Sequence, residues 1–318
     1  MCVISLAMTT YNGERYIEQQ LESIKNQKRK VDEVVICDDG SSDKTTDIIR
    51  KFIVDNKLKN WNLYINEKNK GFAENFKQAI KYTTGDIVFL SDQDDEWKSD
   101  KVERMLNILQ NNSNIKLLSC SLEFIDQDSV PFRPDNLPNW YKTMNRKIEN
   151  ELFEVDFLNE CTTNFSPGCT MCFKREIADK YISSSYQYPI HHDWLLGLLA
   201  SADEGFYFLN TALINYRIHR NNAIGITRAG KSKTVEEQLD RLRKLKARYL
   251  LGLGKKYKDQ TALSYNLEYI NCRISFYENR TIYNLIRVWK TSKKIKNIYD
   301  KRFMANIKDT LYFFHLIF

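Results

Sequence analysis

EVVICDDGSSDKTTDIIRKFI, residues 33–53, is the stretch that decides the fold, because it passes from a strand to a helix through a polar turn. Its first six residues form an apolar run that suits a buried strand. After the turn, Ile48, Ile49, Phe52 and Ile53 recur at helical spacing. A buried strand followed at once by an amphipathic helix is typical of a βαβ unit.

The same alternation extends on both sides of this stretch. Further buried strands are predicted at VISLAM (3–8), NLYI (62–65), DIVFLS (86–91) and KLLSCS (116–121). Segments with helical spacing lie between them, and continuous apolar strands indicate a sheet that is covered on both faces. We therefore predict an α/β fold, Rossmann-like, with a mostly parallel sheet and helices on both faces.

Composition excludes several other classes of protein. The 318 residues are 42% hydrophobic and 13% aromatic with only 5 Pro, which excludes a disordered chain. No apolar stretch approaches the roughly 18 residues that a membrane-spanning helix needs. The N-terminus lacks the basic start of a signal peptide, and the seven scattered cysteines fit reduced thiols. We expect a cytoplasmic protein.

The charge is distributed unevenly along the chain. Residues 1–227 carry 27 basic and 33 acidic side chains, whereas residues 228–318 carry 21 basic and 8 acidic ones, a balance of +13. A basic C-terminal region indicates an anionic partner such as phospholipid, nucleic acid or polyphosphate. A solvated helical face rich in lysine is the alternative.

Polar residues follow the predicted strands, where α/β folds bind their ligands. TTYNG (9–13) follows the first strand, and DDGSSD (38–43) overlaps the end of the second. SDQDD (91–95) overlaps the end of the fourth and brings three carboxylates together; these repel one another unless a cation lies among them. Hard oxygen ligands of this kind suit Mg²⁺ or Mn²⁺, which also bind substrate phosphates. A solvated acidic loop is the alternative.

Three segments carry a resemblance to a known family. MTTYNGERYI (8–17), VVICDDGSSDKT (34–45) and VFLSDQDDEW (88–97) resemble, in this order, the family 2 inverting nucleotide-sugar glycosyltransferases, whose fold is called GT-A. The resemblance covers roughly residues 1–225. It implies a GT-A domain over 1–227, with a nucleotide-binding half over about 1–115 and an acceptor half over about 116–227. A basic helical region over 228–318 would follow.

The resemblance also implies roles for individual residues. Those expected to contact the base of the nucleotide are Thr9, Tyr11 and Asp39. Asp92 would approach the ribose, and Asp94 would ligate the divalent metal, Mn²⁺ or Mg²⁺, that bridges the diphosphate. Asp95 lies outside this two-aspartate core, so we expect it to cap a helix.

Two later segments extend the likeness. HHDW (191–194) stands where the family carries its catalytic base, often written Glu-Asp; this chain has His-Asp, so only Asp193 is predicted as the base. Capping of the following helix is the alternative for Asp193. In YRIHRNNAIG (216–225), His219 is implied as a further metal ligand or diphosphate contact. Arg217 and Arg220 could meet phosphate or acceptor oxygens.

The resemblance therefore implies an inverting transferase that moves one sugar from a nucleoside diphosphate sugar. SDQDDEW resembles rhamnosyltransferases of bacterial surface polysaccharides, which suggests dTDP-rhamnose as donor and a lipid-linked or oligosaccharide acceptor. A UDP-hexose-dependent enzyme of the same fold is one alternative. A non-catalytic nucleotide-sugar-binding or nucleic-acid-binding regulator is another, although no nucleic-acid-binding signature is present.

The basic C-terminal region shows helical spacing of its own. Apolar residues recur at Leu239, Leu242, Leu245 and Tyr249, and again at Ile282, Leu285, Ile286 and Trp289. Lysine and arginine lie beside both rows, and LYFFHLIF (311–318) closes the chain. This pattern favours peripheral contact with the inner face of the cell membrane. Packing on the main domain, or a homodimer interface, is the alternative.

Overall fold

A computed structural model describes residues 2–134, 151–186, 188, 190–219, 234–295 and 302–314, without the side chains of 302–304. Its strands are β1 (Ile4–Thr10), β2 (Glu33–Asp38), β3 (Trp61–Ile65), β4 (Ile87–Ser91), β5 (Glu96–Trp97), β6 (Leu117–Ile125), β7 (Leu152–Glu154), β8 (Met171–Lys174) and β9 (Phe206–Arg217). Its helices are α1 (Ile17–Lys25), α2 (Thr45–Asp55), α3 (Phe72–Tyr82), α4 (Lys101–Asn111), α5 (Phe157–Thr162), α6 (Arg175–Ser183), α7 (His192–Ser201), α8 (Val235–Leu250), α9 (Gln260–Glu278), α10 (Ile282–Ser292) and α11 (Arg302–Phe313).

Within these residues the nine strands form one sheet. Its order is β3-β2-β1-β4-β8-β6-β9-β5, and β7 also pairs with β9. β1 to β4 form a parallel half, whereas β8 lies antiparallel between β4 and β6, and β5 and β7 lie antiparallel to β9. The parallel half brings the carboxyl ends of β1, β2 and β4 to one edge of the sheet.

Helices cover both faces of the sheet, as the sequence predicts. One core contains Leu6 and Val34 from the strands together with apolar residues of α1, α2 and α4. The other contains Ala7 and Val35 together with residues of α3, α6 and α7. Successive strand residues therefore enter opposite cores, which is the alternation of a pleated sheet buried on two sides.

The C-terminal helices share a third core with the α/β body. Leu242, Phe276 and Leu285 from this region pack with Phe157 of α5 and with Leu198 of α7. Part of the basic region is therefore packed on the main domain. The predicted domain boundary at residue 227 lies outside the described residues and stays a prediction.

A close approach after α8 requires a glycine. A Cβ added to Gly252 would lie 2.3 Å from Cε1 of Phe157, so any side chain would displace that buried ring. The missing side chain lets the turn after α8 lie directly against α5.

The last helix is held by a buried ion pair. Nε and NH2 of Arg273 on α9 donate to the two carboxylate oxygens of Asp309 on α11, at 2.7 and 2.8 Å. The hydroxyl of Tyr277 donates to the same carboxylate at 2.7 Å. Because the fork of the guanidinium matches both oxygens, this contact fixes the position of α11 on the bundle.

No described helix is both long enough and apolar enough to cross a membrane.

Asp203 joins the end of α7 to the body through two lysines, and it gives a prediction on stability. Its carboxylate pairs with Lys180 and, at 3.4 Å, with Lys116. Burial alone raises its pKa, but the hydrogen bond and charge of Lys180, with Lys116, hold the pKa below the ordinary value. A depressed pKa contributes stability above the unfolded value of about 4, and this contribution is lost as the pH falls.

Asp203→Asn should therefore lower the free energy of unfolding at pH 7 by about 1 kcal/mol. The difference from the unaltered protein should shrink as the pH is lowered from about 7 to about 3, because the carboxylate then becomes protonated. Urea denaturation across this range measures it. Exposed Asp179 on α6 provides the matched control as Asp179→Asn. Equal stability of Asp203→Asn and the unaltered protein at pH 7 would contradict the prediction.

Candidate active site

The predicted nucleotide-binding residues meet at the carboxyl edge of the parallel half. β1 lies between β2 and β4, so Thr10 pairs with Asp38 on one side and Met8 with Ser91 on the other. Thr9 is largely buried at this edge. The polar residues that follow these three strands in the sequence therefore lie at neighbouring strand ends.

The first aspartate of the DDGSSD segment shapes the turn. Asp38 is buried and accepts hydrogen bonds from Thr10 Oγ1 at 2.7 Å and from the backbone N–H groups of Gly40 and Ser41 at 3.1 and 2.7 Å. Gly40 has φ of +79°, a conformation that favours glycine. Asp38 therefore holds this turn in place, and its carboxylate oxygens are already hydrogen-bonded to groups of the chain.

Asp39, which the resemblance implies as a base contact, also bonds to the chain. Its Oδ1 accepts from Asn66 Nδ2 at 3.0 Å and from the Lys70 backbone N–H at 2.9 Å. Its Oδ2 accepts from the Gly71 backbone N–H at 2.8 Å. These bonds tie the loop before α3 to the end of β2. The contact of Asp39 with a nucleotide base stays a prediction.

Gln93 joins two of the loops, and no sequence pattern singled it out. Its amide accepts from the backbone N–H of Tyr11 at 2.8 Å and donates to the backbone carbonyl of Tyr11 at 3.0 Å. The Tyr11 side chain is 48% exposed. A Cβ on Gly13 would lie 2.3 Å from Gln93 Oε1, so this glycine makes room for the bridge. The Tyr11 side chain is therefore presented at the site by a fixed backbone.

Asp94 and His219, the two predicted metal ligands, lie side by side. His219 Nε2 is 2.8 Å from Asp94 Oδ2, although the residues are 125 positions apart. The side chain of His219 is 10% exposed and that of Asp94 is 15% exposed. The imidazole lies 4.7 Å from the ring of Tyr16. The carboxylate oxygen suits Mn²⁺ or Mg²⁺, whereas the imidazole nitrogen suits a transition ion such as Mn²⁺ better than Mg²⁺, which prefers oxygen ligands. The residues present therefore fit a divalent ion.

A second group of possible donors lies next to this pair. One oxygen each of Asp92 and Asp95 and the sulfur of Cys169 all lie within 4.8 Å of one another. Burial, followed by the charge of Asp94, raises the pKa of Asp95 to about 7. Burial and then the charge of Asp95 raise the pKa of Asp92 as well. A nearby positive charge would therefore stabilise both ionised carboxylates.

The expectation that Asp95 caps a helix is wrong. The next helix, α4, begins at Lys101, and Asp95 lies well before it. Asp95 is 1% exposed, and its Oδ1 accepts the backbone N–H of Arg217 at 3.1 Å. It therefore fixes the end of β9 against the loop after β4.

The expectation that Arg217 meets phosphate or acceptor oxygens is also wrong. The guanidinium is fully buried, and protein oxygens accept all five of its N–H groups. These acceptors are the Asp94 carbonyl (2.7 Å), the Asp126 carbonyl (3.0 Å), Ser129 Oγ (3.0 Å), Gln19 Oε1 (3.0 Å) and Glu96 Oε1 (2.6 Å). Arg217 is therefore an internal tie that positions the aspartate loop. Arg220 lies outside the described residues.

Asp193 lies in the first turn of α7 and is 6% exposed. Its Oδ1 accepts the backbone N–H of Trp194 at 2.7 Å. Its charge contributes to the raised pKa of Asp92, so the two carboxylates lie within electrostatic reach of each other.

The segment GCT (Gly168–Thr170) lies between Asp193 and the acidic loop of Asp92 and Asp95. A Cβ added to Gly168 would lie 3.5 Å from Cβ of Asp193, so the glycine backbone lies against that residue. Its neighbour Cys169 lies beside Asp92 and Asp95. Two consecutive residues thus span the distance between the predicted base and the acidic loop.

His192, which had no assigned role, is a neutral packing residue. Its ring stacks on Phe76 with the centroids 3.9 Å apart. Burial lowers its pKa to about 4, so the imidazole is uncharged at pH 7. A Cβ on Gly168 would lie 2.6 Å from His192 Nε2, so the ring also restricts residue 168 to glycine.

Glu160 on α5 is a buried carboxyl that sequence reasoning missed. Its Oε2 accepts the Phe165 backbone N–H at 3.1 Å. Burial, followed by the charge of Asp193, raises its pKa well above the ordinary value. No motif identifies it, because only the tertiary packing of α5 on α7 brings it near Asp193.

Comparison with known proteins identifies the family. Residues 5–182 match the sequence family described as "Glycosyl transferase family 2", and the chain belongs to this family. The predicted family and the GT-A fold class are thereby confirmed, and the protein is a glycosyltransferase.

Two relatives and one solved structure show the range of the likeness. The dTDP-rhamnosyl transferase RfbG of Shigella flexneri is 30% identical over 242 residues, covering 71% of this chain and 76% of its own. The UDP-Glc:alpha-D-GlcNAc-diphosphoundecaprenol beta-1,3-glucosyltransferase WfgD of Escherichia coli is 25% identical over 242 residues, covering 75% and 84%. The crystal structure of S. aureus TarS 1–349 with UDP-GlcNAc superposes with a TM-score of 0.59 at 19% identity, covering 99% of this chain and 81% of TarS.

Proposed function

We propose that this glycosyltransferase transfers one sugar, with inversion, from a nucleoside diphosphate sugar to an acceptor hydroxyl in the synthesis of a bacterial surface polysaccharide. The observation that carries the proposal is the position of two consecutive residues: the Gly168 backbone lies against Asp193, and the sulfur of Cys169 lies within 4.8 Å of a carboxylate oxygen of Asp92. Such a transfer needs a proton acceptor and, close to it, an acidic loop that can hold a cation for the diphosphate.

Asp193 acts as the general base in this proposal. The acceptor oxygen forms a bond to the anomeric carbon while the bond from that carbon to the diphosphate oxygen breaks. The acceptor proton goes to the Asp193 carboxylate. A single in-line displacement inverts the anomeric carbon.

Asp94 and His219 would hold the divalent ion, Mn²⁺ or Mg²⁺. When bound there, the ion supplies Lewis-acid neutralisation of the diphosphate. Arg217 positions this pair from behind: its Nε donates to the Asp94 carbonyl, and His219 follows it by two residues. Thr9, Tyr11 and Asp39 would contact the base, and Asp92 the ribose, as the resemblance implies.

We propose dTDP-rhamnose as the donor. The likeness of SDQDDEW to rhamnosyltransferases and the name of the relative RfbG support it. A UDP-hexose is the second candidate, because the relative WfgD is named as a UDP-Glc enzyme.

We propose a lipid-linked glycan as the acceptor, with the protein on the inner face of the cell membrane. The relative WfgD is named for a diphosphoundecaprenol acceptor, and residues 228–318 carry the balance of +13. A homodimer through the C-terminal helices is a further proposal.

Thermal-shift measurements followed by turnover assays test this function. We expect dTDP-rhamnose with Mn²⁺ to raise the melting temperature more than UDP-glucose or GDP-mannose does, because stabilisation by a ligand scales with its affinity. We also expect Mn²⁺-dependent release of dTDP in the presence of a lipid-diphosphate glycan. Stabilisation without turnover on any donor would indicate a sugar-nucleotide-binding protein that is not an enzyme and would contradict the proposal.

A further inference from the structure

One face of α10 is exposed along its whole length. Its residues, spaced three and four apart, are Ile282, Tyr283, Ile286, Arg287, Lys290, Lys293 and Lys294, the last two just beyond the helix end. We call this set the α10 face. The opposite side of the helix, with Leu285 and Val288, is buried in the C-terminal core. The α10 face is therefore the outer side of a packed helix.

The first turns of the α10 face are apolar. Ile282, Tyr283 and Ile286 are 55%, 68% and 46% exposed. A fourth apolar side chain, Phe314, is 62% exposed just after α11. Arg280 brings this end of α11 close to the start of α10, because its guanidinium lies 5.1 Å from the ring of Tyr312. Exposed apolar residues grouped in this way mark an interaction surface.

The later turns of the same face are cationic. Arg287, Lys290 and Lys293 are exposed, and the structure places no described acidic side chain within 4.0 Å of any of the three. Lys294, next to them, pairs with Glu268 at 2.9 Å. The α10 face thus joins an apolar patch to a row of positive charge.

We infer that the α10 face docks this protein onto an anionic lipid bilayer. Isoleucine and tyrosine enter the boundary between headgroups and acyl chains, while lysine and arginine of the same helix meet lipid phosphates. The net positive balance of residues 228–318 gives this region the matching charge. The inference rests on the proposed lipid-linked acceptor for its purpose, but the geometry of the face is independent of turnover.

The face is already formed in the folded protein. α10 packs through Leu285 and Val288, and Trp289 Nε1 donates to Thr310 Oγ1 of α11 at 3.2 Å. The Arg273–Asp309 ion pair fixes α11 in turn. Docking therefore requires no folding of the segment on the membrane, and α10 does not have to leave the bundle to expose its apolar side chains.

Vesicle co-sedimentation of the full chain tests the inference. We expect binding to phosphatidylcholine vesicles that contain phosphatidylglycerol, weaker binding at high salt, and little binding to pure phosphatidylcholine. The variant Arg287→Gln, Lys290→Gln, Lys293→Gln should bind the anionic vesicles about 100-fold more weakly. The variant Ile282→Ser, Tyr283→Ser, Ile286→Ser should lose at least about tenfold.

The matched control removes the same charge from the body of the protein. Lys51→Gln, Lys59→Gln, Lys81→Gln lie on exposed positions of the α/β half and should bind vesicles within about twofold of the unaltered chain. The α10 assignment would be overturned if vesicle binding dropped equally in the cationic α10 variant and in this control variant, or dropped in neither. So would a change of oligomeric state in the α10 variants, because the face would then be a contact between copies.

The proposed function and this inference can fail separately. Turnover on a soluble acceptor analogue should be unchanged in both α10 variants, since the face lies outside the proposed catalytic machinery. Vesicle binding through α10 without turnover on any donor would leave the docking surface and remove the proposed function. Turnover without vesicle binding would leave the proposed function and remove the docking surface.

Discussion

Asp193→Asn should lower the turnover number for sugar transfer by about a thousandfold while nucleotide affinity changes by less than about threefold. Asparagine cannot take up the acceptor proton, but its side-chain oxygen can still accept the Trp194 backbone N–H at the start of α7. The substitution therefore separates proton uptake from this backbone contact, and the alternative that Asp193 caps the helix is wrong, because the N-cap residue is His191. Steady-state kinetics and calorimetric titration with the nucleoside diphosphate measure the two effects.

Glu160→Gln is the matched control for this experiment. It alters a second buried carboxyl, whose pKa is raised by burial and by the charge of Asp193. An amide of the same shape can still accept the Phe165 backbone N–H, so activity should be preserved. Normal turnover in Asp193→Asn would remove the base assignment. A loss of turnover of similar size in Glu160→Gln would instead assign the proton transfer to Asp193 and Glu160 together.

Asp94→Ala and His219→Ala should each lower turnover by about a hundredfold to a thousandfold. Each removes one of two donors that lie 2.8 Å apart, so each should also raise the concentration of Mn²⁺ or Mg²⁺ needed for activity. The double variant should lose less than the product of the two single losses, because both residues serve the same ion. Turnover measured across a metal titration tests this.

Asp100→Asn provides a control carboxylate close to the same loop but in contact with Arg104. It should keep the metal requirement of the unaltered protein. Full activity of the unaltered protein in excess chelator would exclude Asp94 and His219 as a functional metal site.

Sequence alone gave the parallel half of the sheet. VISLAM, EVVICD and DIVFLS each correspond to a strand that is buried on two faces and is therefore apolar. NLYI corresponds to the edge strand β3, and the expectation that it is buried is wrong, because Asn62, Tyr64 and Ile65 are exposed. The short strands β5 and β7 were not predicted. They have two and three residues and form only where β9 supplies a partner, so their local sequence carries no periodic signal.

The structure brings two of the predicted site residues together, whereas burial excludes the role expected of another. Asp94 and His219 are close together, as the family likeness implies. Arg217 stands in the same motif and could equally have met a phosphate; its complete burial could not be read from a motif. Glu160 illustrates the same limit, because nothing in its local sequence distinguishes it from a surface carboxylate.

The C-terminal helices show what periodicity leaves open. Ile282, Leu285 and Ile286 all fit one apolar row in the sequence. In the structure Leu285 is buried, whereas the two isoleucines are exposed. Helical spacing identifies a helix, but it does not decide which of two adjacent stripes faces the core.

The position of Arg217 has a consequence for when the acidic loop acquires its bonds during synthesis. The loop that follows β4 is synthesised early, yet the guanidinium that holds it comes from the end of β9, more than a hundred residues later. During synthesis the acidic loop is therefore made well before the side chain that bonds to the Asp94 carbonyl. The bonds that Arg217 donates to this loop can therefore form only after β9 has entered the sheet.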